Sequence, residues 1–432
     1  MKIGYVGLGA MGKALAGNLT SGHDLLVWDL NAAAIRALVE QGARAATSLA
    51  DVGANCDVVV LCLPKSANVR DALFGNGGVA ETLESGAVVI DQTSGFPDDT
   101  RSFASALAER GIGLVDAPVT GGVPSALAGQ ITIMASGSDA AFERAYPVLT
   151  SISPKVFRCS ERVGDAQALK AINNMANAAC RMMTLEVLAV GRKLGLSAAA
   201  MTDALNAGEA RSFITVRLLP AVVEGRSSTD FALGLQLKDL NQAALLGRVN
   251  AFPMPISDTA RGLINAAFNL LGEQSRLDDI VPFMESLSGT KFAGIAEQDG
   301  EQAGELPTTV DAMRLVTGSV AAGNRFIILE NAALAVKAGL EVVDFAPPIN
   351  SGSASSAEAE RLFDGLLGRS KDIERTVGHM LDCLTRLTQL GSDFGVPMLM
   401  TNQIRAQCLA IVADVGAEAA LEALNGCLVK KG

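Results

Sequence analysis

The stretch that decides the fold is KIGYVGLGAMGKALAGNL, residues 2–19, in which an apolar run leads into a glycine-rich turn. Ile3–Val6 has the composition of a buried strand, and residues 13–19 have the spacing of a helix. The GxGxxG pattern therefore lies between a strand and a helix, which predicts a dinucleotide site. The cofactor-binding residues predicted here are Gly7, Leu8, Gly9, Ala10, Met11 and Gly12.

Each glycine of this turn has a separate predicted task. Gly7 allows a tight turn, Gly9 lets the backbone approach a pyrophosphate, and Gly12 permits close packing of helix on strand. The helix N-terminus supplies N–H donors for the phosphates. Asp29 ends the next strand, where a carboxylate binds the adenine ribose hydroxyls and repels a 2′-phosphate. No arginine lies close to it in sequence, so NAD is predicted rather than NADP.

Residues 1–163 alternate short apolar runs with helix-like stretches, which predicts an α/β Rossmann domain with a doubly wound, mainly parallel sheet. The helix-like stretches include Asn31–Gln41 and Asp98–Arg110. The predicted strands are Ile3–Val6, Leu25–Trp28, Val58–Leu63, Ala87–Ile90, Gly113–Val115 and Gln130–Ala135.

The remainder of the chain has only helical patterns, and these patterns occur twice. A first all-α domain is predicted at 164–287, a linker at 288–309, and a second all-α domain at 310–432. With a constant offset of 144 residues, turn residues recur in one ungapped register. These matched pairs include Gly195 with Gly339, Asn206 with Asn350, Gly208 with Gly352, and Pro253 with Pro397. The fold class is therefore a Rossmann domain followed by two tandem, homologous all-α domains.

Composition narrows the function classes. The net charge of −11 without a basic cluster argues against nucleic acid as a partner. No apolar run approaches the length of a membrane span, and no leader pattern precedes the first strand, so a cytoplasmic protein is expected. Seven cysteines without a CxxC pair indicate reduced thiols. His23 and His379 lack clustered partners, which argues against a metal site and against histidine chemistry.

Further motifs resemble those of one family. Leu63-Pro64 resembles a loop along the dinucleotide, and 91–94 (DQTS) resembles a segment beside the nicotinamide ribose. Residues 116–122 (DAPVTGG), 170–174 (KAINN) and 238–241 (KDLN) follow in order. Together with the N-terminal turn, they resemble the β-hydroxyacid dehydrogenase family, which includes 3-hydroxyisobutyrate, tartronate semialdehyde and 6-phosphogluconate enzymes. The likeness covers about residues 1–290.

The resemblance implies an NAD-dependent oxidation of a small 3-hydroxycarboxylic acid, or reduction of the matching semialdehyde or keto acid. It implies catalytic roles for Lys170, Asn174 and Thr120. Substrate-binding roles fall on Gly121, Gly122, Asn173 and Lys238. Additional cofactor-binding roles fall on Leu63, Pro64, Thr93 and Lys238. The family usually has Ser where this chain has Thr120, and the added methyl is expected to narrow the pocket.

Lys170 and Asn174 are four residues apart, so both project from one face of a predicted helix at Asp165–Leu194. A lysine acts as a base only when its pKa falls toward neutrality, and its apolar neighbours would desolvate it as required. The related 6-phosphogluconate enzymes use a glutamate seven residues after the lysine to protonate the product of decarboxylation. Asn177 occupies that position and cannot donate a proton in this way, so simple oxidation is expected.

The second helical domain lacks the catalytic side chains, because Lys170 corresponds to Arg314, Asn174 to Gly318 and Lys238 to Asp382. It is therefore expected to be structural, with helix 311–337 packing on helix 165–194 about a pseudo-twofold axis. Either a monomer with an internal pseudo-dimer or a homodimer would satisfy this arrangement.

Two other functions fit parts of the sequence. An imine or other carbonyl reductase of the same superfamily would share the fold, but such enzymes generally lack the catalytic lysine. A non-catalytic NAD-binding protein would bind cofactor, yet its function would survive replacement of Lys170.

Overall fold

The computed structural model describes residues 1–294 and 307–426, and the chain forms two compact units, Met1–Ala171 and Ile172–Gly432. The three-domain division predicted from the sequence stays a prediction. Most of its linker, 295–306, lies outside the described residues, and so does the end of the last domain, 427–432.

The first unit contains one nine-stranded sheet in the order β3-β2-β1-β4-β5-β6-β8-β7, with β9 paired to β8. The strands are β1 Lys2–Val6, β2 Asp24–Trp28, β3 Arg44–Ala45, β4 Val58–Leu61, β5 Val88–Asp91, β6 Gly113–Asp116, β7 Val119–Thr120, β8 Thr132–Ser136 and β9 Val156–Ser160. The pairs from β3 through β6 are parallel, whereas β8 runs antiparallel to β6 and β7. The predicted doubly wound, mainly parallel sheet is confirmed.

Helices cover both faces of this sheet, as a parallel sheet requires. They are α1 Ala10–Gly17, α2 Ala32–Val39, α3 Leu49–Asn55, α4 Ser66–Phe74, α5 Val79–Thr82, α6 Pro97–Ala108, α7 Val123–Leu127 and α8 Asp139–Ile152. The central strand β4 shows the two-sided burial directly. Val58 and Val60 belong to the core that includes α1 and α8, and Val59 and Leu61 belong to the core that includes α3, α4 and α6.

The second unit is helical. Helix α9 (Asp165–Lys193) begins in the first unit and continues into the second. The helices that follow are α10 Ala198–Asn206, α11 Phe213–Glu224, α12 Leu233–Val249, α13 Pro255–Leu271, α14 Ile280–Ser288, α15 Thr309–Lys337, α16 Val342–Ser351, α17 Ala357–Leu366, α18 Val377–Asp393 and α19 Leu399–Val415. Short 3₁₀ turns lie at Leu277–Asp279 and Leu421–Leu424. Among the described residues, no helix combines the length and apolar character needed to cross a bilayer.

The two helical repeats agree element by element at the predicted offset. Helices α15, α18 and α19 have the bounds of α9, α12 and α13 shifted by 144 residues. A local pairing is duplicated as well: the bridge between Ala232 and Arg276 recurs at the equivalent residues Thr376 and Ala420. The two tandem, homologous helical repeats in the predicted fold class are therefore present. We call residues 172–288 and 309–424 the first and second repeats.

Helix α15 contacts α9, as the sequence predicted. A Cβ atom built on Gly323 would lie 2.5 Å from Met183 Cε, and one built on Gly191 would lie 3.2 Å from Val316 Cγ2. Glycines at these points let the helices approach closely. The later position on α9 meets the earlier position on α15, so the helices run antiparallel.

Three strands and one helix start differ from the sequence prediction. β3, β7 and β9 were not predicted, and β7 lies in the segment that was expected to be a loop. Helix α1 begins at Ala10, inside the glycine motif, rather than at residue 13. β3 and β7 have two residues each, too few to show a period, and their pairing comes from neighbouring strands.

Candidate active site

The glycine-rich turn has the geometry of a dinucleotide cradle. Gly7 has φ of +95°, and a Cβ there would lie 2.3 Å from the Cys62 carbonyl oxygen. A Cβ on Gly12 would lie 2.0 Å from the Gly7 carbonyl oxygen. Gly9, in contrast, has no heavy atom within 4 Å of a built Cβ, and it precedes α1 without a side-chain cap. The backbone thus leaves open space beside free helix N–H groups, which fits a pyrophosphate.

Asp29 is tied to the same turn. Its Oδ2 accepts a hydrogen bond of 2.5 Å from the Leu8 amide, and its Oδ1 accepts one of 2.7 Å from the Asn31 amide. Both contacts hold a partly exposed carboxylate next to the cradle. This position is the one that recognises an adenine ribose in Rossmann domains.

The ends of β4 and β5 are linked by the predicted cofactor residues. The Leu63 amide donates to Thr93 Oγ1 at 3.0 Å. Gln167, on the first turn of α9, donates from Nε2 to the Thr93 carbonyl at 2.7 Å and accepts from the Gly95 amide at 2.8 Å. Pro64 follows Leu63 in the same loop and is exposed. Leu63 and Thr93 therefore do lie together at the carboxyl edge of the parallel sheet.

Asp116 holds the N-terminus of α9. Its Oδ1 accepts from Ser136 Oγ at 2.7 Å and from the Gly164 amide at 2.8 Å, and its Oδ2 accepts from the Gln167 amide at 2.9 Å. Ser136 Oγ accepts in turn from the Ala166 amide at 2.8 Å. Burial raises the pKa of Asp116 to about 6, and these hydrogen bonds oppose that rise.

Asp116 and Ser136 were missed as functional positions in the sequence. Asp116 was noticed only as the first letter of DAPVTGG, and nothing local reveals that its partner is a helix almost fifty residues later. The usable signal was its polar character at the end of a buried strand, where a carboxylate needs donors.

The DAPVTGG segment continues into a short strand and a glycine turn. Thr120 ends β7 and is buried, and Gly121 and Gly122 have φ values of +126° and +83°. The Gly121 carbonyl accepts from Ser125 Oγ at 3.0 Å, which closes the turn. Residues other than glycine rarely adopt these backbone angles.

Lys170 lies on α9 in the second turn after Asp165 and is only 9% exposed. Ala168, Leu169 and Ala171 beside it are also buried. A lysine among such neighbours is an exception to the general rule that lysines stay in solvent. This placement fits the desolvation that the sequence predicted for it.

Asn174 and Lys238, two predicted residues of the second unit, are linked through Asp239 by a hydrogen bond and an ion pair. Asn174 Nδ2 donates to Asp239 Oδ2 at 2.6 Å, and Lys238 Nζ lies 3.0 Å from Asp239 Oδ1. Gln236 Nε2 donates to the Asn174 carbonyl at 3.3 Å. Asn174 and Lys238 are thus brought together by Asp239, a residue that the sequence analysis quoted only within the KDLN motif.

Asn173 contacts the second repeat. Its Nδ2 donates to Ser353 Oγ at 2.8 Å, and its Oδ1 accepts from the Ala354 amide at 3.1 Å. Asn177 Nδ2 donates to the Ser353 carbonyl at 2.7 Å. A substrate contact by Asn173 stays a prediction, and Ser353 is a neighbour that sequence reasoning did not find.

The described residues contain no group of three or more His, Cys, Asp or Glu side chains arranged to hold a metal ion. Within the same residues no disulfide joins the cysteines, which are Cys56, Cys62, Cys159, Cys180, Cys383 and Cys408.

Comparison with known proteins agrees with this geometry. Residues 2–160 match the family model for the NAD binding domain of 6-phosphogluconate dehydrogenase. Residues 164–283 match the model described as NAD-binding of NADP-dependent 3-hydroxyisobutyrate dehydrogenase. The 2-(hydroxymethyl)glutarate dehydrogenase of Eubacterium barkeri is 33% identical over 297 residues, which is 68% of this chain and 98% of that protein. The chain belongs to the β-hydroxyacid dehydrogenase family.

Other relatives extend the comparison. L-threonate dehydrogenase of Escherichia coli K12 is 32% identical over 62% of this chain and 89% of its own. The crystal structure of 3-hydroxyisobutyrate dehydrogenase from Salmonella typhimurium has a TM-score of 0.58 at 30% identity and covers 64% of this chain and 97% of that one. As a member of this family, the chain is a dehydrogenase that uses a nicotinamide dinucleotide.

One structural neighbour covers both helical repeats. Plasmodium falciparum 6-phosphogluconate dehydrogenase matches with a TM-score of 0.72 over 98% of this chain and 94% of that one, at 14% identity. At that identity the likeness concerns the fold alone. A Rossmann domain followed by a large helical region is confirmed.

Proposed function

We propose that this dehydrogenase oxidises a small 3-hydroxycarboxylic acid, or reduces the matching semialdehyde or keto acid, with NAD as cofactor and Lys170 as the proton-transfer group. The observation that carries the proposal is the burial of Lys170 on a helix whose N-terminus is anchored by Asp116. Asp116 also opens the segment that ends in Thr120 and its two glycines. The Asp116 carboxylate thereby anchors α9, and the Asp116 backbone begins the segment that carries Thr120.

The proposed mechanism assigns a task to each group. When bound, the nicotinamide ring takes up the hydride that leaves the substrate alcohol carbon. Neutral Lys170 accepts the hydroxyl proton, and Asn174, one helical turn further along α9, orients the same oxygen. In the reverse direction, protonated Lys170 donates the proton. Thr120 and the N–H groups of its glycine turn hold the substrate carboxylate, with Lys238 as a further positive charge.

The substrate class follows from shared chemistry. The named substrates of three relatives, 2-(hydroxymethyl)glutarate, L-threonate and 3-hydroxyisobutyrate, are all carboxylates that carry a hydroxyl group. A decarboxylating reaction is not proposed, because Asn177 has no acidic proton to give. Its amide donates to the Ser353 carbonyl instead.

NAD is the proposed cofactor because of Asp29. Its carboxylate is fixed beside the glycine turn by the Leu8 and Asn31 amides. A 2′-phosphate placed there would meet a negative charge rather than a cation.

The test is a substrate panel. Purified full-length protein is assayed with 3-hydroxyisobutyrate, L-threonate, 2-(hydroxymethyl)glutarate and glycerate, each with NAD and with NADP, by the absorbance of the reduced nicotinamide. We expect oxidation of at least one acid, with kcat/KM higher for NAD than for NADP. No oxidation of any of these acids, or a preference for NADP, would contradict the corresponding part of the proposal.

A further inference from the structure

A chain of hydrogen bonds links the second helical repeat to Asn174 and Asp239, and Asp239 forms an ion pair with Lys238. We infer that Ser353 and Ala354 position these two residues for catalysis, so that the second repeat is part of the catalytic apparatus rather than only a structural partner. This inference rests on the proposed function, because it gives Asn174 and Lys238 their roles. It concerns positioning residues, since Ser353 and Ala354 act through Asn173.

The chain starts at Ala354, whose backbone N–H can only donate. It donates to Asn173 Oδ1 at 3.1 Å, which fixes which end of the Asn173 amide is oxygen. Asn173 Nδ2 then points to Ser353 Oγ at 2.8 Å and to Asn174 Oδ1 at 3.2 Å. The second repeat thus determines how the Asn173 amide is turned.

The chain ends at Asp239, whose carboxylate accepts. Because Asn174 Oδ1 receives the Asn173 amide, Asn174 Nδ2 is directed to Asp239 Oδ2 at 2.6 Å. Asp239 Oδ1 is paired with Lys238 Nζ at 3.0 Å. Asn173, Asn174 and Asp239 are all buried, so an unsatisfied group here would be costly. Each amide has one favoured orientation as a result.

Ser353 is held at two points on α9. Its hydroxyl meets Asn173, and its carbonyl accepts from Asn177 Nδ2 at 2.7 Å, one helical turn further on. Two contacts, one helical turn apart, fix both the position of the turn along α9 and its orientation against the helix. A single contact would allow the turn to slide.

The corresponding turn in the first repeat is different. At the offset of 144, Ser353 corresponds to Glu209, whose carboxylate pairs with Arg361 at 2.8 Å and Arg375 at 3.0 Å. Asn173 corresponds to Thr317 on α15. The hydroxyl-bearing turn therefore faces the helix that carries KAINN, and a charged turn faces the helix that lacks it. The two repeats have diverged where the proposed chemistry requires it.

The test compares Ser353→Ala with Ser355→Ala. Ser355 lies in the same turn and is bonded through its backbone, to the Gly352 carbonyl and from the Phe213 amide, so its hydroxyl serves as a matched control. On the best acid from the panel, we expect Ser353→Ala to lower kcat about 5- to 10-fold, as for one lost orienting hydrogen bond. The Kd for NADH and the Tm should stay close to wild type. Ser355→Ala should leave kcat unchanged.

Two further variants separate positioning from packing. Ser353→Thr keeps the hydroxyl and should retain more kcat than Ser353→Ala. If Ser353 acts through Asn173, the effects of Ser353→Ala and Asn173→Ala on kcat should not add in the double variant. If Ser353→Ala does not fold, Ser353→Cys keeps a similar volume with a weaker hydrogen bond and should show the same decrease in kcat.

The outcomes distinguish this inference from the function that it rests on. A wild-type protein without activity on the panel contradicts the proposed function. An active wild type with an unaffected Ser353→Ala kcat overturns the positioning role. Additive effects with Asn173→Ala, or equal losses in Ser353→Ala and Ser355→Ala, overturn it as well.

Discussion

The three glycines of the N-terminal turn have different surroundings, although the motif treats them alike. Cβ atoms on Gly7 and Gly12 would lie within 2.3 Å of backbone oxygens, so the fold itself requires glycine there. Gly9 faces open space, so the fold does not require glycine at that position. We propose that glycine is needed there because a ligand approaches the backbone.

Replacement of Gly9 should therefore separate binding from folding. For Gly9→Ala we expect a Tm within about 2 °C of wild type and a Kd for NADH raised about tenfold or more, because the methyl group occupies space needed by the pyrophosphate. Thermal unfolding and fluorescence titration with NADH measure the two effects. Gly12→Ala is the contrasting variant and should fail to fold stably. A Gly9→Ala protein that binds NADH normally would contradict this account.

Lys170 should be needed for proton transfer and not for cofactor binding. Lys170→Met, which keeps the apolar length, should lower kcat by about 10³, within the range of general acid–base effects. Lys170→Arg should be nearly as inactive, since a guanidinium does not release its proton at these pH values. NADH affinity should be unchanged in both variants, as measured by titration. Substantial activity in either one would remove Lys170 from the mechanism.

The site residues predicted from sequence are those whose signals are local. GxGxxG and Asp29 lie within one strand–helix–strand unit, so their spacing predicts a cofactor role, and KAINN lies on one helix, where the family resemblance implies its role. Asp116 and Ser353 act across 48 and 180 residues of chain. No local pattern marks such partners, because ordinary serines and aspartates serve as caps and turn residues everywhere.

At the scale of elements, the beginning of α9 determines where Lys170 lies, because this helix carries it. Three backbone amides at or just before its start are held by two side chains from the sheet. The Gly164 and Gln167 amides donate to Asp116, and the Ala166 amide donates to Ser136, which itself donates to Asp116. These contacts satisfy N–H groups that a helix cannot satisfy internally. The position of Lys170 therefore depends on β6 and β8.

Asp116→Asn should disturb this anchor. The new amide places an NH₂ group opposite at least one backbone N–H, so we expect a loss of about 2 kcal/mol in the free energy of unfolding. Because the helix start then moves, kcat should also fall, whereas NADH affinity, set by the glycine turn, should change little. Urea unfolding, turnover and NADH titration measure the three quantities. Asp98→Asn, at an exposed ion pair with Arg101, is the control and should change none of them much.

Helix ends were predictable where the chain repeats itself, and strand ends were less so. The bounds of α9 and α15 were expected within two residues, because long apolar patterns and their duplication support one another. β9 was missed although it has five residues, since VFRCS is only half-buried and its alternation is weak. Its existence depends on pairing with β8, which is a tertiary effect.

At the scale of the whole chain, the second unit contains an internal twofold relation. Glu186 on α9 accepts from the Met400 and Thr401 amides at the start of α19, at 2.9 and 3.0 Å. Glu330 on α15 accepts from the Ile256 and Ser257 amides at the start of α13, at 3.1 and 2.8 Å. Each repeat thus caps a helix of the other with an equivalent glutamate.

The centre of this relation is equally clear. Ser212 pairs with Ser356, its own equivalent in the other repeat, in an antiparallel bridge. The Phe213 amide donates to the Ser355 carbonyl and the Ala357 amide to the Arg211 carbonyl, both at 2.9 Å. Such self-pairing occurs only on a twofold axis. The two repeats therefore make, within one chain, the kind of interface that two identical subunits make in a C2 dimer.

The reciprocal glutamates should make the stability of this interface depend on pH. Burial raises the pKa of Glu186 to about 7 and also raises the pKa of Glu330. A carboxyl with a higher pKa in the folded state stabilises the fold fully only below its unfolded value of about 4.5, and this contribution is lost as pH rises to about 7. For Glu186 the loss is up to about 3 kcal/mol across that window.

Glu186→Gln removes this dependence, so the comparison of unfolding free energies isolates it. Between pH 4.5 and 7, wild type should lose stability relative to Glu186→Gln, and above pH 7 the difference should level off because Glu186 is then ionised in both states. Urea unfolding at half-unit pH steps measures the difference. Wild type should lose stability relative to Glu330→Gln in the same direction, since the two caps are equivalent. Wild-type and Glu186→Gln stabilities that run parallel across this window would show that the buried cap is ionised throughout, and the burial of Glu186 would then have to be offset by the three donors from Met400 and Thr401.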